Sequence, residues 1–509
     1  MPEGCIFADK GPAAFVENNA SPDLLALLAI TISSTFRSLV ELQMAFGSYE
    51  VGVIQRTPVP NLTDSDHAAL AQLARRAWSL KRTLDTVNET SHAFLLPSLL
   101  RSWLGPFEPL AIEKELAEIQ AAIDDLAFRA YGLEGEDRAA IEAWASKAPG
   151  AEGEATEEAD DDSVEAEDDP ADGLAALQSW AVGVAFGRFD LRLATGERRP
   201  PAEPEPFDPL PARSPGMIPE ADAAKLPPRA ILVDEPGHAL DLTAHVTAAL
   251  DKAGFAPESP DTLRRWLARD FFPLHIKMYS KSRRKAPIYW QLATSSASYS
   301  IWLHIHAFTP ETLPEVQATG MIKVINADFK LTAMRADFGP NPKPEERKIL
   351  AAQEILVEEL TLFIQDVVRV APLWNPNLDD GVLINFAPLW RLVPHHKPWQ
   401  KELKATWDAL CAGDYDWAHL AMHLWPERVV PQCATDRSLA IAHSLEDVFW
   451  SEGPDGKWKP RATPERPVDE LVKERTSAAV KAALKSLLEA PAITGGGGRR
   501  GRKGKGNAA

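Results

Sequence analysis

The sequence predicts an α+β fold that is predominantly helical and consists of several small mixed domains with short antiparallel strands. Long segments repeat apolar residues with the period of a helix, whereas segments with strand character are short and bounded by turn-forming residues. No glycine-rich turn follows a predicted strand, so a complete Rossmann core is not expected. A chain of 509 residues with 45% hydrophobic content is long enough for several such domains.

Residues 1–62 are predicted to form part of a larger mixed unit. Residues 6–16 alternate like a pair of strands, and residues 22–46 carry an apolar stripe with helical period. Residues 49–54 are predicted to form a short strand, which ends at the Pro-rich residues that follow it. Residues 63–148 are predicted to be helical. Their apolar period indicates three helices, at residues 64–88, 109–131 and 135–146.

The segment 149–172 is predicted to be a disordered acidic linker. It is of low complexity, and it carries twelve acidic residues and no basic residue between Glu152 and Asp172. These residues account for most of the net charge of −19, and the remainder of the chain carries an ordinary charge of about −7. The alternative interpretation is a DNA mimic that shields a basic groove.

Residues 230–465 are predicted to form a C-terminal α+β domain, to which residues 173–229 lead as one helix and a Pro-rich connector. Residues 231–234 are a predicted strand, and two further segments around the turn TSSAS, at 288–292 and 299–307, are expected to pair in antiparallel fashion. Helices are predicted at residues 240–253, 259–272, 310–325, 344–370, 399–411 and 415–424. A helix at 466–490, with its apolar period at 468–488, and a disordered basic tail at 491–509 complete the prediction.

The cysteine content and the hydropathy pattern indicate the compartment. The chain has three cysteines and no CxxC pair, which favours a reducing environment over a disulfide framework or a structural zinc site. The sequence contains no signal peptide and no apolar run of transmembrane length. We therefore expect a cytoplasmic protein without a membrane partner.

Residues 277–285 form a cationic island in an otherwise acidic chain. Five of these nine residues are Lys or Arg, and aromatic residues follow at once. Cations neutralise phosphates, and aromatic rings stack on bases or brace the backbone that presents the cations. The alternative is a solvated cationic loop. The residues predicted to bind DNA here are Lys277, Lys281, Arg283, Arg284, Lys285, Tyr289 and Trp290.

Two further cationic regions are compatible with DNA contact. Arg75, Arg76, Lys81 and Arg82 lie on one side of a predicted helix, where an exposed helix face explains them as well as DNA does. The basic tail at 491–509 is explained by non-specific electrostatics.

Established catalytic motifs are missing from the sequence. It has no P-loop, no HExxH or GxSxG motif, and no convincing PD-ExK arrangement. His304 and His306 share one face of a predicted strand and could chelate a metal, although two histidines without a nearby carboxylate are more often packed or surface residues. His395 and His396 are adjacent and would point apart. We therefore predict no catalytic residue, no metal site and no cofactor site in this chain.

Several segments resemble restriction-modification and phage-defence proteins. Residues 36–62, which end in the turn IQRTPVP, resemble the end of a target-recognition domain, and residues 74–96 and 123–133 continue the likeness. Three later segments resemble the C-terminal part of BREX-type, DISARM-type and type IIG adenine-specific DNA methyltransferases. They are WAVGVAFGR at 180–188, the segment 263–292 that contains SRRKAPIYW, and LDDGVLINFAPLW at 378–390. SRRKAPIYW and DDGVLINFAPLW are the most specific pieces, and the resemblance covers nearly everything except the acidic linker and the tail.

The resemblance implies the DNA-recognition and C-terminal portion of an N6-adenine DNA methyltransferase, without a Rossmann methylase core. The family's cofactor turn and catalytic loop lie N-terminal to the recognition domain, and Asn375-Pro376-Asn377 departs from the loop pattern because it lacks the second proline and the aromatic ring. Double-stranded DNA is then the implied partner. S-adenosylmethionine is implied on a separate methylase subunit of a split enzyme, or on the missing part of a truncated remnant. Gln55 and Arg56 lie in the segment that resembles the recognition turn, and the resemblance implies that they face DNA.

Two alternatives belong to other functional classes. In the first alternative, the chain is a non-enzymatic scaffold that docks other defence-system proteins and uses the basic island as its docking surface. In the second, it is a nuclease built around His304 and His306. A complete methyltransferase encoded elsewhere in the same operon would favour the scaffold, whereas a methylase half encoded directly upstream would favour the recognition portion.

Overall fold

Helices dominate the computed structural model, which describes residues 13–44, 51–145, 170–256, 259–281 and 284–491. The chain divides into two units. The first comprises Met1–Leu226 and Lys252–Gly254, and the second comprises Pro227–Asp251 and Phe255–Ala509. Among the described residues, the strands form one three-stranded antiparallel sheet and two two-stranded ribbons, so this part of the chain contains no doubly wound parallel sheet. The prediction of a predominantly helical α+β fold without a Rossmann core is confirmed.

The first unit is built from helices around one apolar core. Helices α1 and α6 both pack against α4, and their apolar stripes supply the buried residues, including Leu25, Leu70 and Ile123. The helices of this unit are α1 Ser21–Ile32, α2 Ser34–Glu41, α3 Val51–Arg56, α4 Asp64–Asp85, α5 Ser98–Arg101, α6 Pro109–Tyr131, α7 Glu136–Ala145, α8 Pro170–Ala185, α9 Leu191–Ala194 and α10 Glu220–Ala223.

The helix predicted at residues 22–46 is broken at Ser33. The Ser33 hydroxyl accepts a hydrogen bond from the backbone N–H of Phe36, which caps the N-terminus of α2. Asp124 on α6 accepts a second hydrogen bond from the N–H of Ser34 at 2.7 Å. The axes of α1 and α2 consequently differ by 62°. Among the described residues, no single helix has the length and apolar composition needed to cross a membrane, and only this bent pair meets that test together.

The prediction of a strand at residues 49–54 is wrong for the described residues of this range, because Val51–Arg56 forms helix α3. The helix ends before Thr57, which precedes Pro58 and donates its hydroxyl to the carbonyl of Val53 at 3.0 Å. Short apolar runs carry too few residues to distinguish the period of a strand from that of a helix, which explains the error. The strand pair predicted at 6–16, the acidic linker up to residue 169 and the tail beyond Pro491 lie outside the described residues.

The second unit combines the sheets with a larger set of helices. Its strands are β1 Ile231–Val233, β2 Ser280–Lys281, β3 Arg284–Lys285, β4 Tyr289–Ala293, β5 Ser300–His304, β6 Trp450–Glu452 and β7 Trp458–Pro460. Its helices are α11 Leu242–Lys252, α12 Pro260–Trp266, α13 Phe272–Met278, α14 Thr312–Phe338, α15 Pro344–Val370, α16 Val382–Phe386, α17 Lys397–Ala412, α18 His419–Leu424, α19 Pro426–Gln432, α20 Arg437–Ala442, α21 Glu446–Phe449, α22 Val468–Arg475 and α23 Ala478–Leu488.

The three-stranded sheet has the order β1-β5-β4, with β5 in the centre. The predicted antiparallel pair around TSSAS is confirmed as β4 and β5, with Gln291 opposite Trp302. All residues of both strands are buried, because helices cover the sheet. A π-helical turn at Leu267–Phe271 joins α12 to α13 and places Phe271 against Trp302.

Helices α14 and α15 form a long antiparallel pair of 27 residues each. Gly320 allows the close approach, since a Cβ at this position would overlap the side chain of Ile364. The prediction for α15 matches the structure, whereas α14 continues thirteen residues beyond its predicted end at 325. The helix predicted at 468–488 is split into α22 and α23, because Ser477 caps a new helix by accepting from the N–H of Val480.

Candidate nucleic-acid interface

The cationic island forms a β-hairpin at the end of helix α13. Strands β2 and β3 pair in antiparallel fashion, with Ser280 opposite Lys285 and Lys281 opposite Arg284. The N–H of Ala286 donates to the carbonyl of Tyr279 at 2.9 Å and closes the base of the hairpin. The predicted contact residue Arg283 and the side chain of Arg284 lie outside the described part of the structure. The backbone nevertheless forms a two-stranded ribbon, which is an element that fits the major groove of DNA.

The lysines around the hairpin differ in their surroundings. Lys281 on β2 and Lys277 on α13 are both exposed. Lys285 donates to a carboxylate oxygen of Glu402 on α17 at 2.5 Å, and about a third of each side chain is exposed. This ion pair neutralises Lys285, so the exposed charge of the hairpin is lower than the sequence alone indicates.

Tyr289 and Trp290 are fully buried and cannot stack on bases. Trp290 stacks face to face on Phe386 and donates its ring N–H to the carbonyl of Pro287 at 2.9 Å. Tyr289 packs beside His275, whose Nε2 accepts the N–H groups of Ile288 and Tyr289. Of the two roles considered for these aromatic residues, only bracing the backbone behind the hairpin is compatible with their burial.

A cationic cleft of about 470 Å³ lies beside the tip of the β4–β5 hairpin. Arg269 on the π-helical turn and Lys397 at the start of α17 line it, and both side chains are exposed. His395 and His396 also line the cleft. Burial lowers the pKa of His395 to about 3, and burial also lowers the pKa of His396. Near pH 7 the positive charge of the cleft therefore comes from Arg269 and Lys397.

The remaining predicted contacts lie in the first unit. Gln55 and Arg56 are exposed at the end of α3, so they occupy a helix rather than the end of a strand. Arg56 donates its Nε–H to the carbonyl of Gly52 at 2.8 Å. On α4, Arg75 forms an ion pair with Glu205 and Arg76 forms one with Glu115, which offsets part of that cationic face.

His304 and His306, the histidine pair considered as a metal site, differ from each other in burial. His304 is buried at the end of β5, whereas His306 is exposed in the turn that follows. The two rings lie edge to face with centroids 5.8 Å apart. In the described part of the chain, no group of three or more His, Cys, Asp or Glu side chains is arranged to hold a metal ion.

The second unit also contains a polar site that was not predicted from the sequence. Three histidines from two separate segments, His419, His423 and His443, line one cavity together with Arg475. His419 and His423 are four residues apart on α18, and this spacing is the one signal that the sequence offered. The contribution of His443 and Arg475 depends on contacts between distant segments, which a single sequence does not reveal.

No protein-family model matches this chain, and no curated protein matches it in sequence. The geometry and charge of the ribbon therefore provide the structural support for a proposed function.

Proposed function

We propose that this chain is the DNA-recognition and C-terminal portion of an N6-adenine DNA methyltransferase from a phage-defence or restriction-modification system. The observation that carries the DNA-binding part is the ribbon of β2 and β3, with the exposed Lys281, which leads into the fully buried Tyr289 and Trp290 of β4. Methyl transfer itself is assigned to a separate chain that holds S-adenosylmethionine. The methyltransferase assignment comes from the resemblance of SRRKAPIYW and DDGVLINFAPLW.

The arrangement of charge supports contact with the phosphate backbone. Lys281 on the ribbon and Lys397 in the cleft are exposed cations. Arg269 and Lys277 lie about two turns apart on one helical segment, about 12 Å apart along its axis. Phosphate contacts fix the position and register of a protein on DNA, whereas base contacts provide specificity. We therefore assign these cations to positioning, and any base readout to the first unit, which contains Gln55 and Arg56.

Binding of a DNA duplex at several salt concentrations tests this assignment. Replacing Arg283 and Arg284 by Ala should weaken binding to all sequences by a similar factor. The slope of log K against log salt should also decrease in magnitude by about two, since each phosphate contact contributes about one. Unchanged affinity in this double variant contradicts the assignment of the ribbon.

The matched control is the Arg75→Ala, Arg76→Ala variant. It removes the same charge from adjacent positions on α4, but both arginines already form ion pairs with glutamates. Its salt slope should remain close to that of the wild type. An equal loss in both double variants would indicate a general effect of net charge rather than a site at the ribbon.

A scaffold that docks another protein is the second candidate, and the surface of α14 favours it. Ile322, Ile325 and Phe329 are 60%, 64% and 76% exposed, and their spacing of three and four residues places them on one helix face. Size-exclusion chromatography with other proteins of the defence system distinguishes the two candidates, because only the scaffold requires a complex with them. If the scaffold is correct, the Ile325→Lys, Phe329→Lys variant abolishes this complex and leaves DNA affinity unchanged. The control Leu110→Lys, at an exposed leucine of the first unit, should change neither the complex nor the DNA affinity.

A further inference from the structure

The histidine-lined cavity of the second unit has a volume of about 300 Å³. This volume is at the lower end of the range for small-molecule sites and suits a ligand of mononucleotide size. Its residues come from the segment before α16, from α18, from the turn after α20 and from the end of α22. The polar residues that line it are Asn375, His419, His423, His443, Ser444 and Arg475.

Asp380 orients the imidazole of His419. The Asp380 side chain is almost fully buried, and one oxygen accepts from Nδ1–H of His419 at 2.8 Å. The same carboxylate accepts the backbone N–H groups of His419 and Leu420 at 2.8 and 2.9 Å. These contacts fix the ring and leave Nε2 of His419 as the nitrogen available to a ligand.

The other two histidines are held in the same manner by backbone carbonyls. Nε2–H of His443 donates to the carbonyl of Asp416 at 2.7 Å, so Nδ1 is the acceptor of this ring. His423 hydrogen bonds to the carbonyl of Pro372, and its Nε2 is buried without a partner among the described residues. Burial lowers the pKa of both rings, so both are neutral near pH 7 and each offers one acceptor nitrogen.

Arg475 supplies the positive charge of the cavity. Its half-buried guanidinium makes one long hydrogen bond, at 3.4 Å, to the carbonyl of Leu471 in the preceding turn. A guanidinium has five N–H donors, so most of this capacity is available to an anion. Ser444 lines the same cavity with a positive φ of 54°, a conformation that non-glycine residues adopt rarely and that is concentrated at functional sites.

We propose that this cavity binds a small phosphate ester with free hydroxyl groups, of the size of a nucleoside monophosphate. Arg475 would pair with the phosphate, and His423 and His443 would accept hydrogen bonds from the hydroxyls. A ligand with this pattern satisfies the buried acceptor of His423, which an anion without hydroxyls does not. The absence, among the described residues, of any group of three or more side chains arranged for a metal ion favours an organic ligand over a cation.

Titration calorimetry of the full-length chain with AMP, adenosine and inorganic phosphate tests the proposal. AMP should bind more tightly than adenosine, which lacks the phosphate, and more tightly than inorganic phosphate, which lacks the sugar hydroxyls. Arg475→Gln should weaken AMP about tenfold or more, since it removes a charged hydrogen bond. His423→Phe should weaken AMP several-fold and leave inorganic phosphate unchanged.

Lys473→Gln is the matched control, because Lys473 is an exposed cation two residues earlier on α22 and does not line the cavity. This variant should bind AMP like the wild type. No AMP binding by folded wild-type chain overturns the proposal, and so does an equal loss in Lys473→Gln and Arg475→Gln. If Arg475→Gln unfolds, as judged by near-ultraviolet circular dichroism, the contrast between AMP and inorganic phosphate in His423→Phe decides the outcome.

Discussion

The cations of residues 277–285 are not equivalent, because their neighbours differ. Lys285 is paired with Glu402, and both side chains are only about a third exposed, so solvent screens this pair less than an ordinary surface pair. A lysine held in such a pair contributes little to phosphate neutralisation. The negative charge of Glu402 therefore limits how strongly the ribbon can bind phosphate.

We predict that Glu402→Gln increases the affinity for duplex DNA and steepens the salt slope by about one, because it releases Lys285 to a phosphate. The measurement is fluorescence anisotropy of labelled DNA at several salt concentrations. Glu345→Gln is the matched control. Glu345 is an exposed acid that pairs with Lys348, and both residues are distant in sequence from the ribbon. Equal changes in both variants would assign the effect to net charge and would contradict a specific role for Lys285.

His395 provides a prediction for the pH dependence of stability. Its Nε2 lies 3.0 Å from the side-chain oxygen of Gln291, and burial lowers its pKa to about 3. The unfolded chain binds a proton at this residue below about pH 6.5, and the folded chain does not. The contribution of His395 to the free energy of unfolding of the second unit should therefore be constant above pH 6.5. It should fall by up to about 1.4 kcal/mol per pH unit between pH 6 and 4 on account of this residue.

Urea unfolding at pH 7, 6 and 5 measures this dependence. His395→Asn should be less stable than the wild type at pH 7 but should lose less stability on acidification. His92→Asn, at an exposed histidine of the first unit, is the control and should keep the slope of the wild type. A wild-type slope in His395→Asn would contradict the assignment of the proton to this ring.

At the scale of elements, tertiary hydrogen bonds decide where several helices begin. The apolar stripe of residues 22–46 continues through Ser33, so a single sequence predicts one helix. The break depends on Asp124, which lies 90 residues away and accepts the N–H of Ser34. Its position on α6 was predicted, whereas its contact with α2 was not, because the packing of α6 against α2 is set by the whole core.

We predict that Asp124→Ala lowers the free energy of unfolding of the first unit by about 2 kcal/mol, since a partly buried N–H loses a charged acceptor at a helix N-terminus. Asp125→Ala is the matched control on the same helix. Asp125 pairs with Arg138 at the surface, and its loss should cost about 0.5 kcal/mol or less. Urea unfolding of both variants provides the comparison, and equal losses would show that Asp124 has no special role in the break.

The ribbon and the cavity show what a sequence can predict about a site. The density of cations at 277–285 and the antiparallel pair behind them are local patterns, and the structure reproduces the pair. Glu402 is 117 residues from Lys285, and Arg475 is 56 residues from His419, so neither contact has a local signal. Only the fold brings such residues together. The sequence therefore overestimates the free positive charge of the ribbon, because it does not show the ion pair of Lys285.

At the scale of the whole molecule, the proposed function requires a second polypeptide for methyl transfer, since the described residues of this chain contain no Rossmann core. We predict that the chain alone transfers no tritiated methyl group from S-adenosylmethionine to unmethylated DNA. A mixture with a separate methylase chain should do so, because recognition and chemistry then reside on different polypeptides that meet on one duplex. Arg283→Ala, Arg284→Ala should lower the rate in the mixture at DNA concentrations below saturation, and most strongly at low salt, because phosphate contacts contribute most to binding there. Methyl transfer that is indifferent to these arginines would separate the ribbon from methylation, and inactivity of a folded, DNA-binding mixture would favour the scaffold.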